Sequence, residues 1–283
     1  VVPKKGLNKV REEALAEKLA AYKATLSPQE IKKLVEQTHH LHKYQEEPSA
    51  DEDLRKIPML GRKDMRKEAM PFHNEEMQAG NIPVVMHEIA TNGIDYITMM
   101  FECGDIPQED IPYLGLLRSV LGYVNTSNYE YADLANAINI YTGGISSGIS
   151  VYPDLQKTGS VCVKYEVRIK VLENNLKDAM ALVDEILTTS DLEDTKRLGE
   201  IIAQVKSRLQ VNLSSSGNVV AAMRALSYQS RYAFYQDATL GIAYYKLIQK
   251  LDEQMKTDPE QIVDKLRALV AKVFVQNRLL VSF

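Results

Sequence analysis

The fold class is decided by a run that alternates apolar and polar residues, Ser160-Val161-Cys162-Val163-Lys164-Tyr165-Glu166-Val167-Arg168-Ile169-Lys170-Val171. Side chains along a strand alternate between its two faces, so this run would turn its valines, Tyr165 and Ile169 to a core. Upstream of it, Gly143-Gly144 opens a second predicted strand that extends to about Val151. The alternation is typical of an antiparallel sheet that is covered on one face only.

Three further apolar runs, rich in β-branched residues, predict strands at residues 82–90, 94–103 and 279–283. Asn92-Gly93 stands between the first two and favours a two-residue turn, so we expect these strands to pair as a hairpin. The third run ends the sequence, and we expect its last residues, Val281-Ser282-Phe283, to leave an unpaired strand edge.

Apolar residues at intervals of three and four predict helices between and after these strands. The predicted helices cover residues 108–123, 129–140, 174–188, 193–209, 219–227, 238–254 and 259–273. Asp258 is the expected N-cap of the last one, with Pro259 at its first position. Because strands come in pairs and helices in runs, the order predicts an α+β fold, a two-layer α/β sandwich with an antiparallel sheet.

Residues 7–47 predict two helices joined as a hairpin. The first carries one apolar stripe, formed by Leu15, Leu19, Tyr22 and Leu26. Ser27 and Glu30 can form a capping box at the start of the second helix. A single stripe per helix must lie against another surface, so this chain alone is expected to form a weak homodimer through residues such as Leu15 and Leu19.

An irregular connector is predicted from residue 53 to residue 81, punctuated by prolines and glycines. We therefore divide the chain into a helical hairpin and extended connector at residues 1–70 and an α+β domain at residues 71–283. The sequence begins without Met and ends in an apolar run, and from this we expect a piece cut from a larger protein.

The composition argues against several classes of partner. Lysine and arginine number 34 against 38 acidic residues, a formal net charge of −4 without a long basic block, which disfavours a dedicated nucleic-acid-binding protein. No apolar run is long enough to span a bilayer, so no membrane partner is expected. Two cysteines cannot build a disulfide framework, and Cys103 and Cys162 both lie in apolar runs where buried, inert thiols are usual. We expect a soluble, intracellular protein.

The sequence contains no strong motif for catalysis or metal binding. His39 and His42 share one helical face and could grip a metal, but a solvated helix end is the simpler interpretation. His73 and His87 stand alone and are expected to be surface or structural residues. The run Thr142–Gly148 lacks the Lys-Ser/Thr pair of a phosphate-binding loop and is favoured as a glycine turn before a strand. Ser214-Ser215-Ser216-Gly217 is interpreted as a break between helices.

Several strings resemble one known family when they are taken in order. Asp53-Leu54-Arg55-Lys56-Ile57-Pro58-Met59-Leu60, followed by Asp64, resembles the connector after the helical hairpin in presequence proteases. The strings Ile94-Asp95-Tyr96-Ile97-Thr98, Ile111-Pro112-Tyr113-Leu114 and Tyr141-Thr142-Gly143-Gly144 are similar to the opening of that family's repeated domain. Presequence proteases are a branch of the pitrilysin/insulinase (inverzincin) zinc metallopeptidases, and the resemblance covers nearly the whole chain.

The resemblance implies a parent of four related domains in two halves, joined by the hairpin into a clamshell. This chain resembles the hairpin plus the third, non-catalytic domain. The window that would match the family's H-x-x-E-H zinc helix, residues 113–121, contains neither His nor Glu. No catalytic, cofactor-binding or metal-binding residue is therefore carried over, and zinc is expected outside this chain, which is expected to be inactive alone.

The implied function is a part of a zinc metalloendopeptidase that degrades short unfolded peptides, with this chain in the chamber wall and the hinge between halves. Its partners would be the remaining domains and unfolded peptides. The cytoplasm of a bacterium is the expected location, with the mitochondrial matrix or a plastid as alternative. The alternative function is a degenerate peptidase-like domain that works as a structural scaffold or binding module.

Overall fold

The computed structural model of this protein describes residues 6–68, 71, 73–157 and 159–283. It divides into two compact units, residues 1–70 and residues 71–283. Whether the second unit folds alone stays a prediction.

The first unit contains three described α-helices. Its helices are α1 (Leu7–Thr25), α2 (Pro28–Glu46) and α3 (Asp51–Lys56). The capping box at the start of α2 is confirmed, because the Glu30 amide donates to Ser27 Oγ at 3.3 Å and the Ser27 amide donates to the Glu30 carboxylate at 2.8 Å. The sequence missed α3 in the connector, although the acidic residues Asp51, Glu52 and Asp53 suit the positive end of a helix dipole.

The apolar stripe of α1 is exposed. Leu15 and Leu19 keep 56% and 58% of their surface accessible, and no described residue of α2 is buried. Such a stripe is typical of a helix that binds a further surface. Self-association through it stays a prediction.

The second unit combines one sheet with eight described α-helices. Its strands are β1 (Asn74–Ala79), β2 (Ile82–His87), β3 (Ile94–Glu102), β4 (Gly144–Pro153), β5 (Val161–Leu172) and β6 (Leu279–Ser282). Its helices are α4 (Ile111–Val120), α5 (Tyr131–Tyr141), α6 (Leu176–Thr188), α7 (Thr195–Ser215), α8 (Gly217–Leu226), α9 (Arg231–Leu240), α10 (Ile242–Gln254) and α11 (Glu260–Val273). The α+β class is confirmed.

The six strands form one sheet in the order β1-β2-β6-β3-β5-β4. The alternation that predicted β5 is confirmed, since Val163, Tyr165, Val167, Ile169 and Val171 are all buried. These residues join a single hydrophobic cluster with residues of α4, α6, α7, α10 and α11. The charged residues between them lie on the opposite face, where Arg168 donates to Glu166. The sheet thus has one apolar face, which the helices cover.

Two strand predictions are wrong. Asn92 and Gly93 do adopt the positive φ of a tight turn, 55° and 78°, but β2 and β3 do not pair, because β6 lies between them. β2 pairs instead with β1, which the sequence placed in the connector. β6 is parallel to β2 and antiparallel to β3, so the sheet is mixed rather than wholly antiparallel.

The expected unpaired edge at the final strand is also wrong. β6 has a neighbour on each side, and Phe283, which follows it, is held as well: the Phe283 amide donates to the Val85 carbonyl at 2.9 Å, and the His87 amide donates to the Phe283 carbonyl at 2.7 Å. The apolar character of residues 279–283 therefore reflects a central strand rather than an edge.

The helix predicted at residues 238–254 is two helices, α9 and α10, that meet at Gly241. The buried Asp237 explains the break, because its carboxylate accepts from the amides of Ile242 at 2.9 Å and Ala243 at 3.4 Å. A Cβ on Gly241 would lie 2.6 Å from that carboxylate, so only glycine fits. Asp237 also pairs with Arg224 at 2.6 Å, which keeps its buried charge compensated.

Candidate functional site

Helix α4 carries residues 113–120 of the window, with Leu121 as its C-cap, and the apolar side chains of the window are part of the core. Leu114, Leu116, Leu117 and Val120 have no exposed surface, and Leu121 is 4% exposed. Side chains that pack against the sheet in this way have no lone pair to offer a metal. The positions that would match zinc ligands therefore do not fit zinc.

The remaining metal candidates do not assemble. The described residues contain no group of three His, Cys, Asp or Glu side chains placed to hold a metal ion. His39 and His42 are both exposed on α2. His87 is structural: its ring hydrogen-bonds to Asn74 Oδ1 at 2.8 Å and to Ser282 Oγ at 3.1 Å, which ties β1 and β6 to β2.

The glycine and serine motifs also have structural roles. Gly143 donates its amide to the Lys170 carbonyl at 2.7 Å, and β4 starts at Gly144 with a φ of 132°, so the glycine turn before a strand is confirmed. Ser216 stands between α7 and α8, as the interpretation of a helix break requires.

The two cysteines differ, which corrects one expectation. Cys103 is buried, and burial raises the pKa of its thiol to about 11. Cys162 is exposed, since it lies on the polar face of β5 between Val161 and Val163. The prediction of a buried thiol is thus wrong for Cys162.

A cavity of about 830 Å³ is the feature that the sequence did not reveal. It is an open cleft lined by β4, β5 and the helices α4 to α7, and it lies wholly within residues 71–283. Its lining residues are Arg118, Ser119, Leu121, Gly122, Tyr123, Ala135, Ile138, Asn139, Gly144, Ile145, Ser146, Ser147, Val167, Val183, Ile186, Ile201, Gln204, Ser207 and Arg208. The set includes two arginines and no acidic residue, so the lining carries positive charge.

One local signal did point to this cavity. Arg118 is the single charged residue in the helix Ile-Pro-Tyr-Leu-Gly-Leu-Leu-Arg-Ser-Val of α4. A cation in an otherwise apolar helix is expected either to be ion-paired or to serve a ligand. The other lining residues are spread over about ninety positions, so only the folded chain brings them together.

Comparison with known proteins identifies the family. The sequence profile for the region associated with the peptidases of family M16, subfamily C, matches residues 1–251. This chain belongs to that peptidase-associated family. The resemblance to presequence proteases, a branch of the inverzincin peptidases, is thereby confirmed.

Relatives of this peptidase-associated chain include bacterial and organellar proteins. It is 33% identical to protein HypA of Clostridium perfringens over 99% of this chain and 29% of that protein. It is 26% identical to presequence protease 1, chloroplastic/mitochondrial, of Arabidopsis thaliana over 97% of this chain and 26% of that protein. The chain thus spans less than a third of the length of these curated relatives.

A solved structure shares the fold of this peptidase-associated chain. A conserved protein from Enterococcus faecalis V583 superposes with a TM-score of 0.52 at 14% identity, over 74% of this chain and 48% of that one. Within the described residues, none of the helices combines the length and apolar character needed to cross a membrane.

Proposed function

We propose that this chain is a non-catalytic part of a zinc metalloendopeptidase that degrades short unfolded peptides. In that enzyme it forms part of the peptide chamber wall and the hinge between the two halves. The observation that carries the proposal is the family match over residues 1–251, together with a helix α4 that packs apolar side chains where a zinc helix needs ligands. Zinc would be bound outside this chain.

The proposed partners follow from the same match. Relatives about three to four times as long imply that the remaining domains of a parent peptidase contact this chain. The exposed stripe of α1 provides an apolar surface for such a contact. A bacterial parent would work in the cytoplasm, and an organellar one in the mitochondrial matrix or a plastid.

Reconstitution from separate polypeptides tests the proposal. The full parent enzyme is divided so that this chain and the remaining segments are expressed apart, and cleavage of an unstructured fluorogenic peptide is measured for each part and for the mixture. We expect no cleavage by this chain alone. The remaining segments alone should lose at least about tenfold in kcat/KM, and the mixture should recover it.

Two outcomes would contradict the proposal. Zinc-dependent cleavage by this chain alone would show that it is catalytic. Full activity of the remaining segments without this chain would show that it is neither wall nor hinge. A parent reading frame without an H-x-x-E-H motif would favour the alternative function, a structural scaffold or binding module.

A further inference from the structure

The cavity of residues 71–283 has an apolar floor and a polar rim. Val167, Val183, Ile186 and Ile201 form buried parts of its lining. The α7 side chains Gln204, Ser207 and Arg208 are exposed and stand at its rim. A volume of about 830 Å³ lies within the range of sites that bury small molecules or a few residues of a peptide. The lining therefore suits a ligand with one apolar and one polar end.

Arg118 is the strongest indication of the charge of that ligand. Every other half-buried lysine or arginine within the described ranges is ion-paired: Lys164, Arg197, Lys206, Arg224, Lys265, Lys272 and Arg278. Arg118 alone is half-buried with no acidic partner among those residues, and the cavity that it lines contains no carboxylate. Partial burial of a guanidinium is costly unless an anion compensates its charge.

Two buried tyrosines lie next to serines of the cavity lining. The hydroxyls of Tyr165 and Tyr244 are buried and have no hydrogen-bond partner in the described part of the chain. Burial raises the pKa of both, and the neighbouring hydroxyls of Ser147 and Ser119 partly offset that effect, as does the charge of Arg118.

Ser147 and Ser119, the serines next to these tyrosines, line the cavity. The Ser119 hydroxyl already donates to the Gly115 carbonyl at 3.2 Å, whereas the Ser147 hydroxyl has no hydrogen bond to a described residue and can donate to an acceptor in the cavity. This donor and an unpaired guanidinium call for a ligand that carries oxygen acceptors and negative charge.

We infer that this cavity binds a carboxylate that is attached to an apolar group, and that the C-terminal residue of a short peptide supplies it. Arg118 pairs with the carboxylate, Ser147 donates to it, and the apolar floor takes the last side chain. The choice of a peptide as the source rests on the proposed function. An inorganic anion would leave the floor unused.

Titration of the 283-residue chain tests the inference by isothermal calorimetry at pH 7 and low salt. The probes are the peptide N-acetyl-Leu-Val-Phe with a free carboxylate, the same peptide with a C-terminal amide, and octanoate. We expect the free acid to bind with a Kd below about 1 mM and the amide to bind at least about tenfold more weakly, because the amide lacks the charge that Arg118 compensates.

Substitutions assign the binding to the cavity. Arg118→Met keeps the length of the side chain and should weaken binding of the free acid by about tenfold or more, whereas Arg118→Lys should retain part of the affinity. Arg231→Ala is the matched control, since Arg231 is exposed, forms no ion pair with a described residue and is absent from the lining. If Arg118→Met fails to fold, Ser147→Ala provides a second test. It removes one donor and should weaken binding of the free acid.

The outcomes separate the parts of the inference. Equal affinities for acid and amide, an unchanged affinity in Arg118→Met, or no binding of any probe up to about 10 mM would overturn it. Binding of octanoate without binding of the peptide acid would support the carboxylate site and overturn the peptide as its source. None of these results depends on peptide cleavage. A failure of this inference can therefore be told apart from a failure of the proposed function, which the reconstitution experiment tests.

Discussion

At the scale of single residues, the two thiols of this chain should react differently. Cys103 is buried with a pKa raised to about 11, whereas Cys162 is exposed on β5. Because the thiolate is the nucleophile, a maleimide or disulfide reagent at pH 7.5 should label Cys162 alone in the native chain and both cysteines in denaturant. Cys162→Ser should abolish native labelling. Labelling of Cys103 in the folded variant would contradict the burial described here.

Asp105 should make stability depend on pH. Arg278 donates to both of its carboxylate oxygens, at 2.5 and 2.7 Å, and this pairing lowers the pKa of Asp105. A pKa lowered in the folded state contributes stability above the unfolded pKa of about 3.9, and this contribution is lost as the pH falls towards the folded value. Because Asp105 is 55% exposed, we expect Asp105→Asn to cost at most about 1 kcal/mol.

Urea unfolding at pH 7, 5 and 3 measures that cost. The difference in unfolding free energy between wild type and Asp105→Asn should be constant from pH 7 to 5 and shrink at pH 3. Asp184→Asn is the control, because Asp184 is exposed and has no ion pair with a described residue. A difference that grows as the pH falls would reverse the sign predicted here.

At the scale of elements, α4 approaches its neighbours closely at Gly115. A Cβ there would lie 2.8 Å from the Thr239 carbonyl oxygen and 3.0 Å from the Tyr244 ring. Gly115→Ala should therefore lower the unfolding free energy by about 1–3 kcal/mol, although alanine is the better helix former. Gly199→Ala in α7 is the matched control: its Cβ would meet only Met255, at 3.6 Å, so stability should rise by up to about 1 kcal/mol. Equal effects in urea unfolding would contradict the close approach.

Elements with local signals could be predicted from the sequence. The alternation at residues 160–171 gives β5, and the Ser27-Glu30 pair gives the start of α2, because in each the deciding interactions lie within a few residues. The pairing of β2 with β6 could not be predicted in this way, since β6 lies almost two hundred residues further along. Asn92-Gly93 specifies a turn but not which strands pair across it.

The cavity is even harder to predict from the sequence than the pairing of the strands. Its lining comes from six elements, and most of its side chains are ordinary core or surface residues when taken one at a time. Arg118 is the exception, because a lone cation in an apolar helix is visible in the sequence. That it has no acidic partner in the described part of the chain depends on contacts between distant elements, which periodicity does not report.

At the scale of the whole molecule, residues 71–283 should fold without the rest of the chain. Every buried residue of the hydrophobic core lies at or beyond Ile97, so deletion of residues 1–70 removes none of it. We expect one cooperative transition in urea, with an m-value close to that of the same domain in the full chain. A gradual, probe-dependent transition would show that the boundary at residues 70 and 71 is wrong.

Metal analysis of the purified, untagged chain tests the central claim most directly, namely that α4 packs where a catalytic domain would coordinate zinc. After equilibrium dialysis against micromolar zinc, elemental analysis should find well below about 0.1 zinc per chain, because the described residues offer no three-ligand site. His39→Ala with His42→Ala controls for weak surface binding and should remove whatever zinc is held there. About one tightly held zinc per chain that survives this double substitution would contradict the account.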